Sequence, residues 1–434
     1  MGIWSCIGKS LAEVSESLRN GRSGIGIAPD RTDYGYQSPL SGIVPVPDLS
    51  HIPLRNAQRK CIAEQTAYAL MAVRQAIDHA CLTDLSRVAL IVSNDSTAEA
   101  TATTEAVMER HHDSRRLGGF HVFRSLNSTT SMSLASILGI GGLSLTVSAA
   151  CAGGGHAVGL AATLIESGTI DCAIVVGCQE VGIHSYTAFD ALGVFSRNTT
   201  SPATASRPFD IQRDGLVPSG GAAAIILESP DHLSSRLAEN KHRSPSISAD
   251  ASSSSIVGES IADAVRPLAR VAGYGFSTSP DIVSPSPDSI LASMYAALGS
   301  ASIYPRDLTA IFAHATSTCA GDTSEANALT RLLYAPAIGC PPAENVLTVP
   351  IIATKALTGH ECWMSGVSQI VYALAQIHNG FLMGNHHLTT PDPAATYLYL
   401  PREATTLGPS SPRHILCNAF GFGGTNSTLI LSIE

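Results

Sequence analysis

Charge is scarce in this 434-residue sequence: Asp, Glu, Lys and Arg make up 14% of it, against about 25% in an average soluble protein. Aromatic residues are also few, at 5%, yet 44% of the chain is hydrophobic. That is the opposite of the apolar-poor, highly charged composition of disordered segments. The net charge of −9 removes the basic footprint of a nucleic-acid-binding protein. Only four of the 26 basic residues are lysines (Lys9, Lys60, Lys241 and Lys355). A lysine inside an apolar stretch therefore stands out, and Lys355 is one.

Residues 125–165 contain no Asp, Glu, Lys or Arg at all. That length meets the size of a membrane span, but Ser, Thr, Gly, Asn and His156 interrupt the run throughout, so it reads as protein core. No basic segment followed by a long apolar stretch opens the chain, so no signal peptide is read. Cys6 stands where a myristoylation signal needs Ser or Thr. The ten cysteines have no regular spacing, which argues against a disulfide framework. The absence of CxxC and HExxH gives no reason to expect a metal site. These absences leave a core-rich protein of a reducing, cytoplasmic compartment, with no membrane span and no nucleic-acid partner.

What is present is a series of short apolar runs at 88–93, 172–177, 222–227, 308–313 and 428–432. Near-continuous apolar strands suit sheets covered on both faces. Helical stretches at 59–80, 154–167, 324–334 and 365–379 alternate with them, which predicts a layered α/β architecture. The length suits roughly two to three domain-sized units or one large fused core. A Ser-rich, charged interval at 229–267 reads as a linker or insertion, separating 1–228 from 268–434. Strand-like sequence resumes at 268–273.

Four segments carry chemistry. In the first, SLTVSAACAGGGH, a strand runs into a turn of small residues and a Gly- and Ala-rich helix. Cys151 at that helix start would gain thiolate character from the dipole and the free N–H groups. A buried structural cysteine fits the same segment equally well. In the second, AIFAHATSTCAGDTSE, His314 closes an apolar strand ahead of a hydroxyl-rich loop, the position where α/β proteins place catalytic groups. A core histidine is the alternative there, and the hydroxyls also suit a helix cap. In the third, TKALTGHECWMSG, Lys355 and His360 flank a glycine just before an apolar helix. The lysine can orient a histidine or hold charge, or it can be a solvated loop residue. The fourth, NAFGFGGTN, precedes a strand and lacks a GK[ST] ending. It suits a backbone oxyanion site better than a phosphate loop.

In this order and context, the segments resemble the beta-ketoacyl-acyl carrier protein synthases, the condensing enzymes of the thiolase-like superfamily. The resemblance spans nearly the whole chain, from SCIGKSLAEVSESLRNGRSGI through SRPFDIQRDGLVPSGGAAAIILE to NAFGFGGTN. It implies a layered αβαβα fold built from two similar halves. It also implies a decarboxylative condensation of malonyl-ACP with an acyl chain held on Cys151, in fatty acid, polyketide or polyene elongation. His314 and His360 would be the catalytic histidine pair, with Lys355 and Glu325 in support. The backbone amides of Cys151 and Phe422 would form the oxyanion hole, with Phe422 and Phe420 at the gate. Thr316 and Thr318 would contact the phosphopantetheine arm, which arrives on the carrier, so no resident cofactor is expected.

The implied partners are an acyl carrier protein, met by Arg55, Arg59 and Lys60, and a second subunit in a homodimer or a ketosynthase–chain-length-factor heterodimer. Departures from the family pattern bear on substrate fit. Ala315 replaces a glycine in HATST, Ala356 lacks a hydroxyl, and Trp363 and Met364 add bulk. The opening strand is shortened relative to the family. A non-condensing chain-length-factor-like subunit is one alternative. A coenzyme A-dependent thiolase-like acyltransferase, with Cys417 as second cysteine, is another.

Overall fold

A computed structural model describes residues 1–242, 265–282, 284–334, 348–408 and 413–433. Two five-stranded sheets dominate it. The first contains β1 (Gly2–Ser5), β2 (Ala89–Ser93), β3 (Ser144–Val147), β4 (Cys172–Gln179) and β5 (Gly221–Glu228), in the order β1-β5-β4-β2-β3. The second contains β6 (Arg270–Thr278), β7 (Ala310–Phe312), β8 (Ile351–Ile352), β9 (His414–Phe420) and β10 (Thr425–Ser432), in the order β6-β10-β9-β7-β8.

Each strand of the first sheet has a counterpart five places on. In both sheets the first strand pairs antiparallel with the fifth, and the fifth antiparallel with the fourth. The fourth then pairs parallel with the second, and the second parallel with the third. The two halves thus share one topology, the αβαβα arrangement expected of a thiolase-like fold.

Five helices set the layers: α1 (Glu64–Ala80), α2 (Gly153–Glu166), α3 (Pro287–Ala301), α4 (Cys319–Tyr334) and α5 (Ser365–His378). α1 covers the outer face of the first sheet, and α3, with α4 against it, covers the second. Between the sheets, α2 and α5 pack on each other. Every residue of α5 from Ser365 to Ile377 is buried, as suits a helix walled in on all sides. The central strands are buried along their length, as in β2 (ALIVS) and β4 (CAIVVGCQ), which explains their unbroken apolar character.

Two expectations are adjusted. The helix expected at 59–80 is two helices, Asn56–Cys61 and α1, with an extended residue at Ile62. The carboxylate of Glu64, the first residue of α1, accepts the backbone N–H groups of Val181 and Gly182. The 229–267 interval opens as a helix, Pro230–His242, and the Ser-rich residues 244–260 lie outside the described residues. Arg236, on that helix, is buried and paired with Glu228 at 2.7 Å, so this part packs on the fold rather than linking it. Among the described residues, no helix is long and apolar enough to cross a membrane.

Candidate active site

The parallel strands of both sheets end at one place. After β3 the chain turns at Ala150, a non-glycine residue in the left-handed region (φ 47°), into a short 3-10 turn, Ala150–Ala152, that leads into α2. After β8 it passes through Lys355 and His360 and turns again at Cys362 (φ 41°) into a second 3-10 turn, Cys362–Met364, that leads into α5. These two elbows are counterparts in the doubled fold. They bring Cys151 and His360 together: Nε2 of His360 is 3.1 Å from Sγ of Cys151.

His314 follows β7, and its ring centroid is 5.2 Å from that of His360 in an edge-on arrangement. The Lys355 ammonium donates to the His314 carbonyl at 2.5 Å and lies 3.5 Å from its Nδ1. Glu325, on α4, accepts the backbone N–H groups of His314 and Ala315 at 2.8 and 2.6 Å and the side-chain amide of Asn418 at 2.9 Å. Cys151, His314, His360, Lys355 and Glu325 are all buried.

Burial governs the electrostatics. It pushes the His314 imidazole well below its ordinary range, helped by the neighbouring Lys355 charge and by His360, so that ring is neutral. Burial also lowers Lys355, against the carboxylates of Glu325 and Glu361, and raises Glu325. Cys151 moves the other way. The Cys362 thiol beside it, then the charge and hydrogen bond of His360 and the backbone N–H of Phe422, outweigh burial and hold it well below an ordinary thiol.

The glycine-rich loop between β9 and β10 meets the first elbow. A Cβ on Gly421 would stand 3.1 Å from the Cys151 nitrogen, so glycine permits that approach. Phe420 is buried against His314, with centroids 5.4 Å apart, whereas Phe422 is partly exposed and leans on Phe189 at 5.5 Å. Phe189 also meets Trp363, and the buried Trp363 indole N–H has no hydrogen-bond partner among the described residues. Thr316 and Thr318 face each other, with hydroxyls 3.0 Å apart, on the loop after His314.

Replacing glycine with Ala315 strains nothing, because the left-handed residue in that loop is Ser317 (φ 70°). Ser317 is held by Asp322, whose carboxylate accepts its N–H at 3.0 Å. Arg55, just before the Asn56–Cys61 helix, and Arg59 and Lys60 on it are exposed; Lys60 lies over the Phe120 ring, and none of the three touches the Cys–His group. Cys417 lies in mid-strand in β9, opposite Leu429, with its thiol raised by burial.

Three neighbours of the site escaped the sequence reading. Asp95, just after β2, accepts the Ala150 N–H at 2.7 Å. Ser365 has its hydroxyl 3.3 Å from Nδ1 of His360. Cys362 sits against Cys151. An acidic residue at a strand end and a second thiol two residues after His360 were the available signals.

Known proteins share this architecture. Residues 1–232 match the beta-ketoacyl synthase N-terminal domain and residues 268–389 the C-terminal domain. The 3-oxoacyl-[acyl-carrier-protein] synthase 1 of Haemophilus influenzae is 29% identical over 99% of this chain and 96% of its own length. Among solved structures, a beta-ketoacyl synthase from Burkholderia phymatum superposes with a TM-score of 0.83 at 22% identity, over 100% of this chain and 98% of that one. The ishigamide ketosynthase/chain length factor gives 0.81 at 25% identity, over 100% and 97%. With a family match over more than half its length, this chain belongs to the beta-ketoacyl synthase family.

Proposed function

We propose that this protein is a beta-ketoacyl-acyl carrier protein synthase that carries its acyl chain on Cys151. The observation that carries this reading is the 3.1 Å contact between Cys151 Sγ and His360 Nε2, with the neutral His314 ring beside it. The Cys151 thiolate attacks the acyl thioester delivered by the carrier. A new C–S bond forms and the carrier's phosphopantetheine thiolate leaves. A carrier-bound malonyl unit then loses CO2, and its electron pair moves into an enolate whose oxygen takes hydrogen bonds from the imidazoles of His314 and His360. The enolate carbon attacks the Cys151 thioester, the C–C bond forms, and the C–S bond breaks to return the thiolate.

The oxyanion of that last step meets the N–H groups of Cys151 and Phe422, with Phe422 as the gate and Phe420 behind it. Donors fixed in a dry site are worth far more than the same donors in water. Lys355 and Glu325 act through His314. Thr316 and Thr318 are the expected contacts of the phosphopantetheine arm, and Arg55, Arg59 and Lys60 those of an acidic carrier. No resident cofactor is required. We read the chain as one half of a homodimer or of a ketosynthase–chain-length-factor pair. β3 is the outermost strand of its sheet, with the exposed Leu143 just before it.

The non-condensing alternative leaves the buried, activated thiol without a role. The coenzyme A-dependent alternative needs Cys417 near Cys151, and Cys417 is tied up in mid-strand. The test is intact-mass measurement after incubation with acyl-ACP. One acyl adduct is expected, and it should be absent from Cys151→Ala. No adduct, or one that survives the substitution, refutes the reading.

A further inference from the structure

Cys362 takes no part in the condensation, yet its thiol points into the reaction centre. Sγ of Cys362, Sγ of Cys151 and a ring nitrogen of His360 all lie within 4.8 Å of one another, and all three residues are buried. The chain holds Cys362 there in a left-handed conformation (φ 41°), which is unfavourable for a non-glycine residue. Backbone strain of this kind points to function only when the strained side chain has something to do. Two thiols and an imidazole are the donor set of zinc and other borderline-soft divalent cations.

We propose that Cys151, His360 and Cys362 form a binding site for a zinc-class divalent cation, and that an ion bound there reversibly blocks the nucleophile. Tetrahedral zinc at about 2.3 Å from sulfur and about 2.0–2.1 Å from nitrogen separates its ligands by roughly 3.4–3.8 Å. The 3.1 Å pair of Cys151 and His360 therefore opens by a few tenths of an ångström to receive it. Two thiolates and a neutral imidazole balance the charge of a divalent ion, which suits a dry site. Binding releases the protons still carried by the thiols and involves no change of oxidation state.

Ser365 completes the arrangement. Its hydroxyl, 3.3 Å from Nδ1 of His360, both donates and accepts. It donates to Nδ1 when Nε2–H is needed in condensation, and accepts from Nδ1–H when Nε2 binds metal. Orientation of a metal-bound histidine through its other nitrogen is a general feature of such sites. The fourth coordination position is left to water. The block on acylation rests on Cys151 being the nucleophile, whereas the binding itself does not.

The full-length protein, reduced with a phosphine, is titrated with Cd2+ as a spectroscopic probe and with Zn2+ in competition. Wild type is expected to bind one equivalent with a thiolate-to-cadmium absorption of two sulfurs, and Zn2+ should protect Cys151 from iodoacetamide. Cys362→Ala and the closer mimic Cys362→Ser, each checked for folding by circular dichroism, should weaken binding by more than about 100-fold, the upper end of what loss of an outer-shell partner costs. Cys151→Ala should do the same. A second trio, Cys172, Glu228 and His232, offers one thiol only, so Cys172→Ala should leave the two-sulfur band intact. Binding unchanged in both Cys362 variants, or a band lost only in Cys172→Ala, overturns the proposal. The acylation assay on metal-free protein tests the nucleophile separately.

Discussion

A buried imidazole is useful in this site only if its proton is on the right nitrogen, and the neighbours of each ring decide that. An ammonium has donors and no acceptor, so Lys355, 3.5 Å from Nδ1 of His314, faces a lone pair there and leaves the proton on Nε2. His314 is also kept neutral by burial and by that same charge. It can therefore donate to an enolate oxygen without first losing a proton. His314→Ala and His360→Ala should each lower malonyl-ACP decarboxylation by about 100- to 1,000-fold, the usual result of deleting one such donor. Acylation of Cys151 should largely persist. Release of CO2 at the wild-type rate in both variants would refute these roles. The four residues Cys151, His314, Lys355 and His360 were legible because their segments, each ambiguous alone, occur together in one order. Cys362 was not, because its significance lies in a contact with a residue 211 positions away.

The elements explain why two distant segments meet. Each half of the chain sends its third strand into a left-handed elbow and a central helix, and the two central helices lie side by side. The first elbow is pinned from β2: Asp95 accepts the Ala150 N–H at 2.7 Å. Leaving a half-buried N–H unpaired costs about 1–3 kcal/mol, so Asp95→Ala should loosen the turn that aims Cys151. The expected result is a fall of about tenfold or more in Cys151 alkylation and acylation rates. Asp95→Asn, whose carbonyl still accepts, should restore most of the rate. Equal loss in both variants would assign Asp95 an electrostatic rather than a positioning role. The strands were readable because buried parallel strands are apolar without interruption, as at 88–93 and 172–177. The doubling was legible only through the family resemblance, since it lies in strand pairing and leaves no repeat in the residues. Ala315 shows the same limit: its motif glycine suggests a need for backbone freedom, but the freedom is used two residues later, at Ser317.

At the scale of the whole molecule, several of the few charges lie inside. Arg31, Asp210, Arg213, Asp322, Glu325, Lys355 and Glu361 are all buried. Most have strong partners, such as Arg213 with Asp392 at 2.8 Å and Asp322 at 3.6 Å. Glu361 differs: its carboxyl meets the hydroxyls of Tyr372 and Ser368, and burial pushes it up to about 7 despite those bonds and the Lys355 charge. A carboxyl raised in the folded state favours folding while it is protonated. Its contribution is complete below the ordinary value of 4.5 and is lost as pH rises through about 7. At about 1.4 kcal/mol per unit, the complete loss is on the order of 3–4 kcal/mol. Glu361→Gln keeps the shape and removes the titration. Measured by urea unfolding, the variant should gain about 2–3 kcal/mol relative to wild type between pH 5 and pH 9, with the steepest change near pH 6, midway between the unfolded and folded values. The comparison with wild type at each pH isolates this group from every other that titrates over the range. A difference that stays flat from pH 5 to pH 9 would mean that Glu361 is already ionised in the fold, with the Lys355 charge and the two hydroxyls outweighing its burial.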